Sequence, residues 1–249
     1  MKMETDNIGF LVGSGNTVLT GITVSLDITG DVISEALDSG SGLIVSHHPL
    51  FKSLTSVTDS DLTGQKIIRM VSGGISAICM HTNLDAARGG VNDALAAAAG
   101  ITGDDGNAEF LFEEGNLSSG ETFSYGRFGC LKNPCTMPEY LETLKHALKT
   151  NGLRYIDAGC DVHKIAVVGG SGGSEFQKAL KKGCDTFITA DIKYSLFLEA
   201  KELGVNLIDG GHFCTENLVT DVLVDKLHKE FPEIKVAASE RHKQTVMFY

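Results

Sequence analysis

The sequence predicts an α/β fold with mostly parallel strands, built as two similar lobes. Three observations predict it: short β-rich runs alternate with amphipathic or Ala-rich runs, glycines stand where helices must stop, and a weak internal repeat runs through the chain. The 249 residues, 42% of them apolar, suit one large domain or two lobes of about 100 residues each.

In order, GITVSL, VISEALDSG, GLIVS, QKIIRMVSGG, ISAICM and VNDALAAAAG read strand, helix, strand, helix, strand, helix. Gly40, Gly73, Gly74 and Gly100 fall at the helix-to-strand junctions, where a C-cap must adopt a left-handed backbone. A shift of 143 positions lays Ile22-Thr23-Val24 over Ile165-Ala166-Val167, Ala36-Leu37 over Ala179-Leu180, Gly40 over Gly183 and Ile44-Val45-Ser46 over Phe187-Ile188-Thr189. A shift of 130 lays Ile67-Ile68 over Phe197-Leu198 and Gly74-Ile75 over Gly204-Val205.

Residues 102–129 have another texture, rich in Gly, Asp, Glu, Asn and Ser, in which AEFLF and ETFSYGRFG read as short strands joined through EEGNLSSG. Thr136-Met137-Pro138-Glu139 forms a capping box opening a helix whose apolar face is Tyr140, Leu141, Leu144, Ala147 and Leu148. The expected lobes are 1–101 and 102–249, the second including the bridging strands and the pseudo-repeat.

A formal charge of −11 argues against broad electrostatic binding of nucleic acid, which relies on cations to neutralise phosphates. No apolar stretch reaches the roughly 18 residues of a membrane helix, and MKMETDNIGF lacks the layout of a signal peptide. A cytoplasmic protein is expected. The six scattered cysteines read as small thiols rather than staples, and Cys130 and Cys135 lack a second pair to complete a structural zinc site.

Ligands of an open parallel sheet bind beyond the carboxyl ends of its strands. GLIVS is followed by His47-His48-Pro49, ISAICM by His81-Thr82-Asn83-Leu84-Asp85, and VNLIDG by Gly211-His212-Phe213-Cys214-Thr215-Glu216. Four of the eight histidines therefore sit at strand ends, each near another potential ligand, which is how metal sites distribute their ligands. Pro49 opposes both continued strand pairing and a helix start, so the chain can turn and offer both imidazoles to one cavity. His212 and Glu216, four apart at a helix opening, share one face, and His81 and Asp85 repeat that spacing in the other half. The plain alternative for each is a packed or solvated loop histidine and a favourable helix N-terminal charge. Asn92 or Asp93 can cap the Ala-rich helix. Gly169-Gly170-Ser171-Gly172-Gly173 can cradle phosphate, though it lacks a P-loop ending and reads better as a tight turn. Asp27, Thr29 and Asp191 occupy places suited to orienting a ligand.

SHHPL, MHTNLDAARGGVND and GGHFCTE, with DNIGFLVG near the start and ITADIKY later, resemble the Nif-three-like family, whose members carry the name GTP cyclohydrolase 1 type 2 homologue. The resemblance covers nearly the whole chain. It implies a two-lobed α/β fold with two divalent metal ions in the cleft between the lobes, assembled as a homohexamer. By matched motif it implies ligation by His47, His48, Asp85, His212 and Glu216, with His81 beside the metals as a proton-transfer group. The zinc, manganese, iron, cobalt or nickel ions that such ligands accept would share a bridging hydroxide, and the substrate would be a nucleotide or related small molecule.

The chain departs from the family's pattern in three places. Only six residues precede Asn7, where members carry a further helix; Ala190 and Ser195 replace the usual Gly and His of the later motif; and the insert of long members is absent. Ser195 removes a potential proton donor. Two alternatives to the hydrolase stand beside it: a metal-binding or interaction protein without turnover, and a mononucleotide-binding module built on the glycine loop.

Overall fold

A computed structural model of the protein describes residues 6–103, 106–112, 115–116 and 122–249. In chain order the first elements are β1 (Gly9–Val12), β2 (Ile22–Ser25), α1 (Gly30–Ser39), β3 (Leu43–Ser46), α2 (Leu62–Ser72), β4 (Ser76–Cys79), α3 (Thr82–Ala86) and α4 (Val91–Ala98). The middle holds β5 (Glu109–Phe110), β6 (Gly115–Asn116), β7 (Thr122–Phe123), β8 (Arg127–Cys135), α5 (Met137–Ala147) and β9 (Arg154–Ile156). There follow β10 (Val162–Val167), a 3-10 turn at Gly173–Glu175, α6 (Phe176–Lys181), β11 (Thr186–Thr189), α7 (Tyr194–Leu203) and β12 (Asn206–Asp209). The chain closes with α8 (His212–Glu216), α9 (Leu218–Glu230) and β13 (Val236–Ala238).

Two compact units form, Met1–Leu84 with Val219–Lys243, and Asp85–Leu218 with Gln244–Tyr249. The single cut drawn between 101 and 102 differs from this division for two reasons. Helix α4 buries Leu95 and Ala96 in the second unit's core, and β13 adds to the first unit's sheet from the far end of the chain.

The first unit's sheet has the order β1-β4-β3-β2-β13, with β1 antiparallel to β4 and the rest parallel. Val32, Ile33 and Ala36 of α1 and Ile67 and Met70 of α2 pack with Ile44 and Ala77 of the strands. In the second unit the order is β5-β8-β10-β11-β12-β9, with β10, β11 and β12 parallel. Adjacent strand residues feed opposite faces of that sheet. Ile165, Ile188 and Ile208 join α4 and α5 on one side, while Ala166, Phe187 and Leu207 join α6 and α7 on the other.

The repeat is structural. Strands β2, β3 and β4 pair in sequence order, as do β10, β11 and β12. The aligned glycines follow matching helices at nearly equal φ, 71° and 70° at Gly40 and Gly183, 70° and 69° at Gly74 and Gly204. Gly40 and Gly204 are the C-caps, whereas α2 and α6 are capped one residue earlier by Gly73, at a φ of −87° rather than left-handed, and Lys182. In the middle region β5 pairs with β8, and β6 with β7, so AEFLF and the end of ETFSYGRFG are neighbours in one sheet. Most of the expected EEGNLSSG connection lies outside the described residues. The capping box is present, the Thr136 amide donating to Glu139 Oε2 at 3.0 Å, and Tyr140, Leu144 and Leu148 are buried as its helix pattern required. Helix α4 is capped differently from the expectation. Gly90 is its N-cap, without a side-chain bond, and Asn92 and Asp93 lie inside the first turn with other tasks. The cysteines are free thiols, and among the described residues no helix is long and apolar enough to cross a membrane.

Candidate metal centre

In the first unit, β3 and β4 end side by side and deliver three imidazoles. The β2–β3 ladder continues past Ser46, because the His47 amide donates to Ser25 O at 3.2 Å and the His48 amide to Leu26 O at 2.8 Å. Pairing therefore persists two residues further than Pro49 alone predicted, and stops where proline removes the next donor. The turn folds back through Ser46 Oγ, which donates to His48 O at 2.8 Å. The rings of His47 and His48 lie 4.9 Å apart, and that of His81 lies 5.2 and 5.5 Å from them. Each offers a ring nitrogen within 4.8 Å of the other two.

The other nitrogen of each ring is already engaged. His47 Nδ1 lies 2.9 Å from Met80 O, His48 Nδ1 lies 2.8 Å from Asp27 Oδ1, and His81 Nδ1 lies 2.8 Å from Asp6 Oδ1. A carbonyl or carboxylate oxygen can only accept, so Nδ1 carries the proton in all three rings. In the neutral form Nε2 is then the lone-pair nitrogen, the tautomer that metal-ligating histidines adopt when a carboxylate or carbonyl stands behind them. Asp6 also accepts from the Thr82 amide at 3.1 Å and from its hydroxyl. These bonds outweigh its burial and hold its carboxyl below the usual value.

The second unit holds a histidine among carboxylates. His212 and Glu216 lie on α8, with His212 Nε2 3.1 Å from Glu216 Oε2 and His212 Nδ1 2.6 Å from Asp191 Oδ2. Asp191 is one of two non-glycine residues with positive φ among those described, at 54°. Holding a residue there costs roughly 1–2 kcal/mol, and the carboxylate so aimed fixes the ring of His212. Asp85 lies in the last turn of α3, and its main-chain oxygen accepts from Asn92 Nδ2 at 2.9 Å. Asn92 Oδ1 in turn accepts from the Gly169 amide at 2.9 Å, which ties the Asp85 segment to the glycine loop.

That loop is a close-packed turn. Its amides at 169, 170 and 172 are bonded to Asn92, Thr215 and Thr189, leaving none of those three to cradle phosphate. The mononucleotide reading loses three of the loop's donors. The glycines instead make room for neighbouring side chains. A Cβ on Gly170 would stand 2.0 Å from Glu216 Oε1 and 3.2 Å from His212 Nε2.

Between two carboxylates His212 is an imidazolium near neutral pH, its pKa pushed up to about 9, first by the bond to Glu216 and against its own burial. A divalent cation replaces that proton in kind, so the donor set fits a metal. The raised folded value also fixes a sign. Stability from His212 is fully present below the ordinary imidazole pKa of 6.5 and is lost as pH rises through about 9. The melting temperature of chelator-treated protein is expected to fall over that window, and to fall less in His212→Gln. Equal slopes for the two would refute the pairing.

All six residues singled out in the sequence thus stand at strand or helix ends. His47, His48 and His81 converge in one unit, as do His212 and Glu216 in the other. Asp27 and Asp191 act as orienting carboxylates, while Thr29 caps α1 by accepting from the Val32 amide at 3.2 Å. Sequence reasoning gave no role to Asp6 or to His242, whose Nε2 lies 3.0 Å from Asp27 Oδ2, and read Gly170 only as part of a turn. The motif DNIGFLVG contains Asp6, and that was the available signal. Ser195 is exposed on α7.

Proteins named GTP cyclohydrolase 1 type 2 homolog are similar to this chain. That of Clostridium acetobutylicum is 36% identical over 218 residues, 87% of this chain and 79% of the relative. That of Lactococcus lactis is 31% identical over 254 residues, 100% and 93% of the two. The crystal structure of a hypothetical protein from Staphylococcus aureus matches with a TM-score of 0.89 at 28% identity, covering 99% of this chain and 93% of that one. A Bacillus cereus protein related to NIF3 shares the fold at a TM-score of 0.89 and 23% identity, covering 100% and 94%. The family model described as Duf34/NIF3 (NGG1p interacting factor 3) matches residues 1–245, and the chain belongs to that family.

Proposed function

We propose that the protein holds two divalent metal ions through His47, His48, Asp85, His212 and Glu216, and hydrolyses a nucleotide or related small molecule. One observation carries the reading: in His47 and His48 the Nδ1 proton is committed to a backbone or carboxylate oxygen, the tautomer in which Nε2 is the ligand atom, and His81 beside them is held the same way. The two carboxylates balance charge, and the names of the relatives point to the same chemistry.

Bound divalent ions supply Lewis acidity and activation of water near neutral pH. The chain's own residues do the rest. Asp27 and Asp191 hold His48 and His212 in register, Glu216 is kept buried under Gly170, and Asp6 fixes His81 so that its Nε2 can take up and return a proton. A homohexamer is part of the same reading through the family resemblance, and light scattering of the purified protein checks it.

Elemental analysis of native protein is expected to give close to two metals per chain, and Asp85→Asn to lose at least one. Wild-type content in that variant would remove Asp85 from the ligand set. Metal-dependent release of formate from GTP, beside a panel of phosphoesters, tests the hydrolysis. A second reading, a metal-binding or regulatory protein without turnover, draws on Ser195, which leaves no proton donor at a usual histidine position. Fully loaded protein inert across the panel would favour it.

A further inference from the structure

Strand β13 pairs parallel with β2, Ala238 standing opposite Val24. Both strands therefore end on the same side, and the residues beyond β13 run beside Asp27, which follows β2. Two carboxylates of α1 fasten them there. Glu35 of α1 accepts from the Ser239 hydroxyl, from the Glu240 amide at 2.9 Å and from the Arg241 amide at 3.3 Å. Arg241 Nη2 reaches Asp38 Oδ2 at 2.7 Å, and the His242 amide donates to Ser239 Oγ at 3.1 Å.

So anchored, the His242 side chain is 7% exposed and lies on the far oxygen of the carboxylate that holds His48. Asp27 Oδ1 is 2.8 Å from His48 Nδ1, and Asp27 Oδ2 is 3.0 Å from His242 Nε2. A carboxylate with one oxygen on each imidazole cannot rotate without losing a partner. Burial lowers the pKa of His242 against the pull of Asp27, so the ring serves as a neutral N–H donor.

We propose that His242 is a positioning residue, which through Asp27 locks His48 in the tautomer that presents Nε2 to a metal. This rests on the metal-binding reading above. It assigns to the closing segment of the chain a part in the site that none of the sequence motifs contains.

The test uses full-length protein and cobalt(II) as the probe, in wild type, His242→Ala, His242→Gln and His48→Ala. Affinity is read from the cobalt absorption bands, and the His48 tautomer from long-range proton–nitrogen correlation of metal-free, nitrogen-15-histidine protein. His242→Ala is expected to weaken cobalt binding by at least about 10-fold, as loss of an outer-shell partner does, and to mix the His48 tautomers. His242→Gln, whose amide N–H can reach Asp27, restores both. Wild-type affinity and an unmixed tautomer in His242→Ala, where His48→Ala loses the metal, would overturn the proposal and leave the ligand set standing. Equal losses in the Ala and Gln variants with His48 signals unchanged would also overturn it. If His48→Ala still binds cobalt normally, the ligand assignment fails instead. The tautomer readout then decides alone, mixing in His242→Ala supporting the coupling and its absence overturning it.

Discussion

Asp93→Ala is expected to destabilise the second unit by about 3–5 kcal/mol, the cost of leaving a buried charge without its partner. The charge is Arg127, whose side chain is 0% exposed at the start of β8. Its guanidinium pairs with Asp93 through Nε and, at 3.3 Å, through Nη2, and donates to Ser124 O, Gly126 O and Ala87 O at 3.0, 2.9 and 3.0 Å. Burial lowers its pKa and Asp93 opposes that shift. Asp93 also accepts from the Gly89 amide, so one carboxylate joins the start of α4 to the start of β8. Chemical denaturation should show the midpoint falling sharply in Asp93→Ala and much less in Asp93→Asn, which keeps an acceptor. Equal midpoints for Asp93→Ala and wild type would mean that the main-chain oxygens alone satisfy the guanidinium.

Gly170→Ala should have the largest effect on metal binding. The added methyl would sit 2.0 Å from Glu216 Oε1, at a φ of +62° that costs a non-glycine residue roughly 1–2 kcal/mol. The Glu216 carboxylate is the movable party, so it swings away from His212 and the loss falls on ligation more than on folding. Affinity at that carboxylate should drop by more than the 10–100-fold typical of a lost outer partner, with a melting temperature only a few degrees lower. A competition titration against a chelator measures it, and undiminished affinity would show that Glu216 is no ligand.

Much of the fold was legible because local signals agree with the tertiary answer. Gly40, Gly74, Gly183 and Gly204 were placed by the rhythm of strand and helix, and each holds the left-handed backbone that turns a helix end into the next strand. His47, His48, His81 and His212 were found because open parallel sheets collect ligands at their carboxyl ends. What lay hidden is the long-range pairing. Asp6 meets His81 across 75 positions and Asp27 meets His242 across more than 200, and no periodicity encodes either encounter. Gly170 looked like part of a loop because its task is set by Glu216, which arrives from another strand end. Asn92 and Asp93 read as caps on chemistry that fits a cap equally well. Their partners at Gly169 and Arg127 exist only once the sheet has formed.

The pairing of β13 with β2 has a bearing on how the chain is made. A ribosome delivers the N-terminus first, and domains generally fold as their residues emerge. Here the earliest-synthesised sheet waits for its outermost strand until residues 236–238 leave the exit tunnel, by which time residues 85–218, the bulk of the other unit, have been released. The N-terminal sheet is consequently closed only after the bulk of the second unit has emerged, and nascent chains stalled before that strand should remain open to protease in the first sheet while residues 85–218 already resist it.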